Sequence, residues 1–128
     1  MKRSLALGLL VLAALLLVPL GISVATHTSS AVPWYQASMA TTGLAPDPAK
    51  VSDAVVQVYA AKAFGWRGAF SVHTWIIVKP AGAVAFTRYD VVGWGGAPVV
   101  RENYAAADAL WYGGRPELLL DRRGKDAE

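Results

Sequence analysis

The chain has 128 residues, with 12 Lys and Arg against 9 Asp and Glu, a formal charge of +3, and no cysteine. Lacking thiols, it holds no disulfide staple, no lipid-modified cysteine, no thiolate metal site and no thiol nucleophile. Two of the cations, Lys2 and Arg3, stand at the very start, so the remainder carries ten cations against nine acids, too little footprint for binding nucleic acid.

Behind Lys2 and Arg3, residues 5–25 form an apolar run without a single charge. A helix of about 20 such residues crosses a hydrocarbon core, so membrane lipid is the expected partner through residues 5–25. The cations belong on the cytoplasmic side, which directs the rest of the chain outward. The same stretch also meets the description of a secretory signal: a basic start, an apolar centre over residues 5–18 and a small-x-small site at Ser23-Val24-Ala25. The predicted location is therefore the cytoplasmic membrane with the domain facing outward, or a secreted or periplasmic chain if cleavage occurs near Ala25. A buried soluble helix would carry a polar stripe, and this run has none.

Three segments follow from composition: a transmembrane anchor or signal at 1–25, an irregular stalk at 26–50, and a β-rich globular domain at 51–128. The stalk is rich in Ser, Thr, Ala and Pro, with Pro33, Pro46 and Pro48 interrupting any regular element. Trp34 and Tyr35 within it suit either the headgroup level of a membrane or packing on the domain.

Val55-Val56-Gln57-Val58-Tyr59 is β-branched and aromatic enough for a strand, and Gly65-Trp66-Arg67-Gly68 reads as a turn. Residues 69–79 give the clearest strand. Phe70, Val72, Thr74, Ile76 and Val78 fall on one face, and Ser71, His73, Trp75 and Ile77 on the other. Because both faces are largely apolar, this strand is predicted to be central and covered on both sides. Pro80-Ala81-Gly82 makes a turn, and residues 83–94 return as an antiparallel partner. Glycines from Gly93 to Gly96, with Pro98, close that hairpin. A short strand over 99–104, a helical turn or two over 105–112, and an apolar piece at Leu118-Leu119-Leu120 complete the pattern. The predicted fold class is α+β: an N-terminal transmembrane or signal helix, then a small, mainly antiparallel sheet with one short helix.

The ordered segments Val56-Gln57-Val58-Tyr59-Ala60-Ala61, Gly65-Trp66-Arg67-Gly68, His73-Thr74-Trp75-Ile76, Lys79-Pro80-Ala81-Gly82-Ala83, Thr87-Arg88-Tyr89, Val91-Val92-Gly93-Trp94 and Pro116-Glu117-Leu118-Leu119-Leu120-Asp121-Arg122-Arg123-Gly124 resemble a bacterial family, domain-of-unknown-function family thirty-seven fifty. The similarity runs from about residue 34 to 124. It implies a membrane-associated or exported protein of unassigned activity. Family members continue into a further helix and an Asn- and Ser-containing motif, so the resemblance implies a domain incomplete at its C-terminus, with edge strands lacking their covering layer.

His73 is the one candidate catalytic residue, since an imidazole suits proton transfer near neutrality. Its competing role is a histidine hydrogen-bonded within the sheet. In outline, a strand-borne histidine before a hairpin is similar to permuted papain-like hydrolases and acyltransferases, an analogy of arrangement. Ser71, His73 and Asp90 can be written as a triad, but residues two apart on a strand stand ~7 Å apart at Cα, which argues against the first pair. No metal is expected, because Asp90, Glu102 and Asp108 show no ligand spacing with His73. The glycines around Gly95 and Gly113 lack the Lys-Ser or Lys-Thr ending of a phosphate loop, and no cofactor is expected. Trp66 and Arg67 either present a stacked indole and guanidinium for recognition or form a surface turn pinned by a buried indole.

With no complete catalytic constellation, the leading expectation is an envelope protein displayed outside the cytoplasmic membrane and binding an envelope component. The alternative is an incomplete hydrolase or acyltransferase of permuted papain-like type with His73 as its remnant catalytic residue.

Overall fold

The structure is a computed structural model, which describes residues 2–26 and 32–128. Residues 27–31 of the expected stalk lie outside the described residues. Helix α1, Lys2–Thr26, contains Pro19 and is apolar all round. Over Ser4–Thr26 it is long and apolar enough to cross a membrane, and none of its central window is buried against the rest of the protein.

The domain is a five-stranded sheet: β1 (Val55–Lys62), β2 (Val72–Lys79), β3 (Thr87–Val91), β4 (Val100–Glu102) and β5 (Glu117–Arg123). Their spatial order is β4-β3-β2-β1-β5, and every pairing is antiparallel. β2 is central, as its apolar pattern predicts. Its partner β3 is shorter than the expected 83–94: a turn closed by the Ala83 N–H on the Pro80 carbonyl at 3.1 Å takes up the start, and from Val92, whose N–H bonds to the Val99 carbonyl at 2.8 Å, the chain turns into β4.

One face of the sheet is covered. Tyr59, Ala61, Trp75, Ile77, Val92 and Trp111 form the core, with Met39, Phe86, Tyr104, Ala107 and Tyr112 packed against it. The cover is irregular chain. Residues 38–45 from the stalk lie against residues 106–113 through a bridge between Thr41 and Ala109 and through backbone bonds from Leu110 to Ala40 and from Gly113 to Ser38. Asp108 ties this layer together, accepting from the Thr41 hydroxyl, from Thr42 and from the Ala45 N–H.

Two expectations are corrected here. The helical turn over 105–112 is cut to a single turn closed by the Ala109 N–H on the Ala106 carbonyl at 3.2 Å. It does not continue, because the Leu110 N–H bonds to Ala40 and the Ala107 carbonyl accepts from Trp75, while Ala106 also accepts from Arg88. Tertiary bonds override the helix propensity of three consecutive alanines. Nor is β2 covered on both sides. Val72 and Ile76 are exposed, as are Tyr89, Val91 and Val100 on the same open face. Apolar residues on both faces of a strand permit double burial, but the described residues supply only one layer.

Candidate functional site

Strand register assembles the site. Trp75 lies opposite Asp90, and Ile77 opposite Arg88. Residues two apart share a face, so His73, Trp75, Arg88 and Asp90 all project to the covered side, where diagonal neighbours are within reach of long side chains. Arg88 grips Asp90 with two parallel bonds, Nε to Oδ2 and Nη2 to Oδ1, both 2.8 Å. Its Nη1 donates to the Ala106 carbonyl at 2.8 Å, and its guanidinium lies 4.1 Å from the Trp75 ring centroid. Both ions are fully buried. Such a pair holds together best when its other hydrogen-bonding groups also find partners, and here each guanidinium nitrogen and both carboxylate oxygens have one.

His73 Nε2 lies 2.8 Å from Asp90 Oδ1, the oxygen that also accepts from Arg88 Nη2. Burial pushes the Asp90 carboxyl up, but the hydrogen bonds from His73 and Arg88, with the Arg88 charge, outweigh it and hold the group below its ordinary value. An ionised Asp90 accepts only, so His73 Nε2 is the donor in this contact. The ring stacks on Trp111, with centroids 3.5 Å apart and planes within 9°. His73 is thus fixed at its edge by Asp90 and on its face by an indole.

The imidazole lies in the wall of a cleft of about 610 Å³, together with Trp34, Phe64, Arg67, Ser71, Trp94, Trp111 and Tyr112. Trp34 approaches Tyr112 edge-on at 6.3 Å, so the stalk residue packs on the domain. Tyr112 and Tyr104 share a hydrogen bond of 2.7 Å. Burial and that bond push the Tyr112 hydroxyl up to about 12, so it stays protonated at neutral pH. A mainly aromatic cleft with a few fixed polar groups is the usual form of a small-molecule site.

Of the residues weighed from sequence, the structure joins His73 to Asp90 and leaves Ser71 apart. Ser71 faces the same cleft, but its hydroxyl donates to the Arg67 carbonyl at 2.7 Å. Asp108 is occupied by the 41–45 loop, and Glu102 lies opposite Tyr89 on the open face. Among the described residues no three His, Asp or Glu gather where they could hold a metal ion. The Trp66 indole is exposed, with the Arg67 guanidinium 5.1 Å from its centroid, so a buried indole does not explain this turn. Arg88, Trp94 and Trp111 were missed. Arg88 had a readable signal: Arg88 and Asp90, opposite in charge and two apart on a strand, must share a face.

A family profile described as Protein of unknown function (DUF3750) matches residues 53–128. The chain belongs to the DUF3750 family. The matched region holds all five strands and the whole His73, Arg88 and Asp90 set. Trp34 and the 38–45 cover lie ahead of it. No curated protein and no solved structure matches the chain.

Proposed function

We propose that this DUF3750 protein is anchored in the cytoplasmic membrane by α1, displays its domain outside, and binds an envelope component in the aromatic cleft with His73 as the polar contact. The observation that carries the binding reading is the pre-formed cleft: a rigid imidazole, held by Asp90 and Trp111, among aromatic walls. Preorganisation of this kind lowers the ordering cost of binding. The anchor reading is supported by the length of the apolar stretch in α1.

A second reading, hydrolase or acyltransferase chemistry, is favoured by one observation. Nε2 is tied to an ionised Asp90, which is itself clamped by Arg88, so Nδ1 is left to take a proton and Asp90 stabilises the imidazolium that results. His73 would be the general base and Asp90 the group that orients it. No hydroxyl is hydrogen-bonded to His73 among the described residues, so the proton donor would be water or another group brought to the cleft.

Three experiments decide. Full-length chain carrying Val84→Cys is treated in intact cells with a membrane-impermeant maleimide. Labelling supports outward display, and labelling only after lysis removes it. Sequencing the mature N-terminus then separates anchor from signal, since a chain beginning at Thr26 has lost α1. For the chemistry, turnover of p-nitrophenyl acyl esters that disappears in His73→Ala supports the second reading. Absent or unchanged turnover leaves the binding role.

A further inference from the structure

The apolar stretch Ser4–Thr26 has 23 residues. At ~1.5 Å per residue it is about 34 Å long, slightly more than a hydrocarbon core of ~30 Å. Ser23 therefore lies one turn from the outer end, at the boundary of the headgroup layer. There its hydroxyl donates to the carbonyl of Ala69, and α1 packs against the short turn Gly65–Ala69. That contact fixes the depth of the turn.

The turn and the residue after it carry groups suited to such a depth. Trp66 and Phe70 are 58% and 57% exposed, with ring centroids 5.4 Å apart. Arg67 stands against the Trp66 indole. Exposed rings with an adjacent guanidinium favour the membrane–water interface, where the ring meets acyl chains and the cation meets anionic headgroups. The same segment is also a wall of the cleft, through Phe64, Arg67, Ser71 and Val72. Anchor, aromatic foot and cleft are thus one continuous surface.

We propose that the cleft receives an anionic membrane amphiphile, its apolar body along Phe64, Trp94 and Trp111 and its headgroup at Arg67. The proposal rests on the anchored, ligand-binding reading above and names the ligand class for it. Arg67 is the exposed cation of the cleft wall, so it selects for charge, while the rings accept the chain without regard to its length. His73 lies in the same wall and meets the polar part of whatever enters.

The natural absence of cysteine permits the test. Full-length chain carrying Phe70→Cys, or Trp66→Cys as a second variant, is labelled with an environment-sensitive fluorophore and placed in vesicles containing headgroup spin-labelled phosphatidylcholine. Val84→Cys serves as the reference, being an exposed position in the loop between β2 and β3. Position 70 or 66 is expected to be quenched about twofold or more, as befits an interfacial ring, and position 84 unaffected. Photoactivatable phosphatidylglycerol in the same vesicles is then expected to label peptides holding Phe64, Trp94 or Trp111. Labelling should exceed that by the phosphatidylcholine analogue by about fivefold, the worth of one cation near an anionic surface, and Arg67→Gln should abolish the excess. Equal quenching at all positions, none at 70 and 66, adducts confined to α1, or labelling indifferent to headgroup charge would each overturn the proposal. A chain that begins at Thr26 removes the anchor as well. A retained α1 with positions 70 and 66 unquenched removes this proposal alone.

Discussion

The two faces of this sheet are similar in apolar content and opposite in fate. On the covered face Trp75 and Ile77 are lost to solvent beside a buried Arg88–Asp90 pair, while one residue away Ile76 is 44% exposed and Val72 is 60% exposed. Hydrophobicity therefore does not tell which face is interior. What distinguishes the covered face is chain folded back across it, residues 38–45 and 106–113, and partners there for most of its polar groups, the buried Arg101 Nε being an exception. Gln57 accepts from the Tyr59 hydroxyl at 2.7 Å, Lys79 donates to the Pro80 carbonyl at 3.2 Å, and Arg88 is fully engaged. Burial of such groups is costly unless they find partners.

The largest effect is expected from breaking the buried pair. Arg88→Met leaves Asp90 ionised and half-partnered in the interior, at a cost of about 3–5 kcal/mol. Thermal unfolding of the full chain in mild detergent, followed by near-ultraviolet circular dichroism, measures it. Adding Asp90→Asn removes the stranded charge and should recover part of the loss. A double variant as unstable as Arg88→Met alone would mean that lost packing on Trp75, and not the uncompensated carboxylate, dominates.

A smaller disturbance comes from the cover. A Cβ at Gly114 would lie 2.9 Å from the Lys62 carbonyl and 3.1 Å from that of Trp111, so backbone has to shift. Gly114→Ala is expected to cost about 1–3 kcal/mol, in the range of overpacked sites. Because the Trp111 N–H bonds to the Gly114 carbonyl at 2.9 Å, the same change should loosen the Trp111–His73 stack and weaken the near-ultraviolet signal.

These two sites differ in how far they were legible from sequence. The strands, their antiparallel pairing and the placing of His73 on β2, on the same face as Trp75, follow from alternation and turn residues, which are local signals. Of the Ser71, His73 and Asp90 set that the residue types suggest, only His73 and Asp90 meet, and Ser71, whose spacing from His73 argues against it, is tied to Arg67. The cover was not legible. Residues 105–112 look helical because alanine favours helix, and nothing local reveals that the Ala106 and Ala107 carbonyls answer to Arg88 and Trp75 on other strands. Nor does a Pro-interrupted stretch such as 38–45 reveal that it forms half of a layer, since its bonds are to residues more than sixty positions away.

Acid provides a gentler way to separate the faces. Asp90 is held below its ordinary value by His73 and Arg88, so the unfolded chain binds more protons as pH falls below about 3.9. Its contribution is complete above that pH and declines as pH drops toward the folded value. Wild type and Asp90→Asn should accordingly differ in stability near neutrality and converge in acid. A gap that is constant with pH would mean that the native carboxyl is not the lower-titrating form.

The smallest effect is expected on the open face, and it tests the comparison most directly. Ile76 and Ile77 are neighbours on one strand, opposite Tyr89 and Arg88. Ile77→Ala empties a fully buried position and should cost about 2–5 kcal/mol. Ile76→Thr exchanges one β-branched side chain for another on a half-exposed surface, keeps strand propensity, and should stay within about 0.5 kcal/mol. Both are measured on full-length chain at several protein concentrations. If Ile76→Thr costs as much as a buried substitution, the open face is not open in solution. A cost that grows with concentration would place a second copy against it, whereas a concentration-independent cost would require the contact to come from within the same chain. Only a near-zero value leaves the two faces as different as their exposures make them.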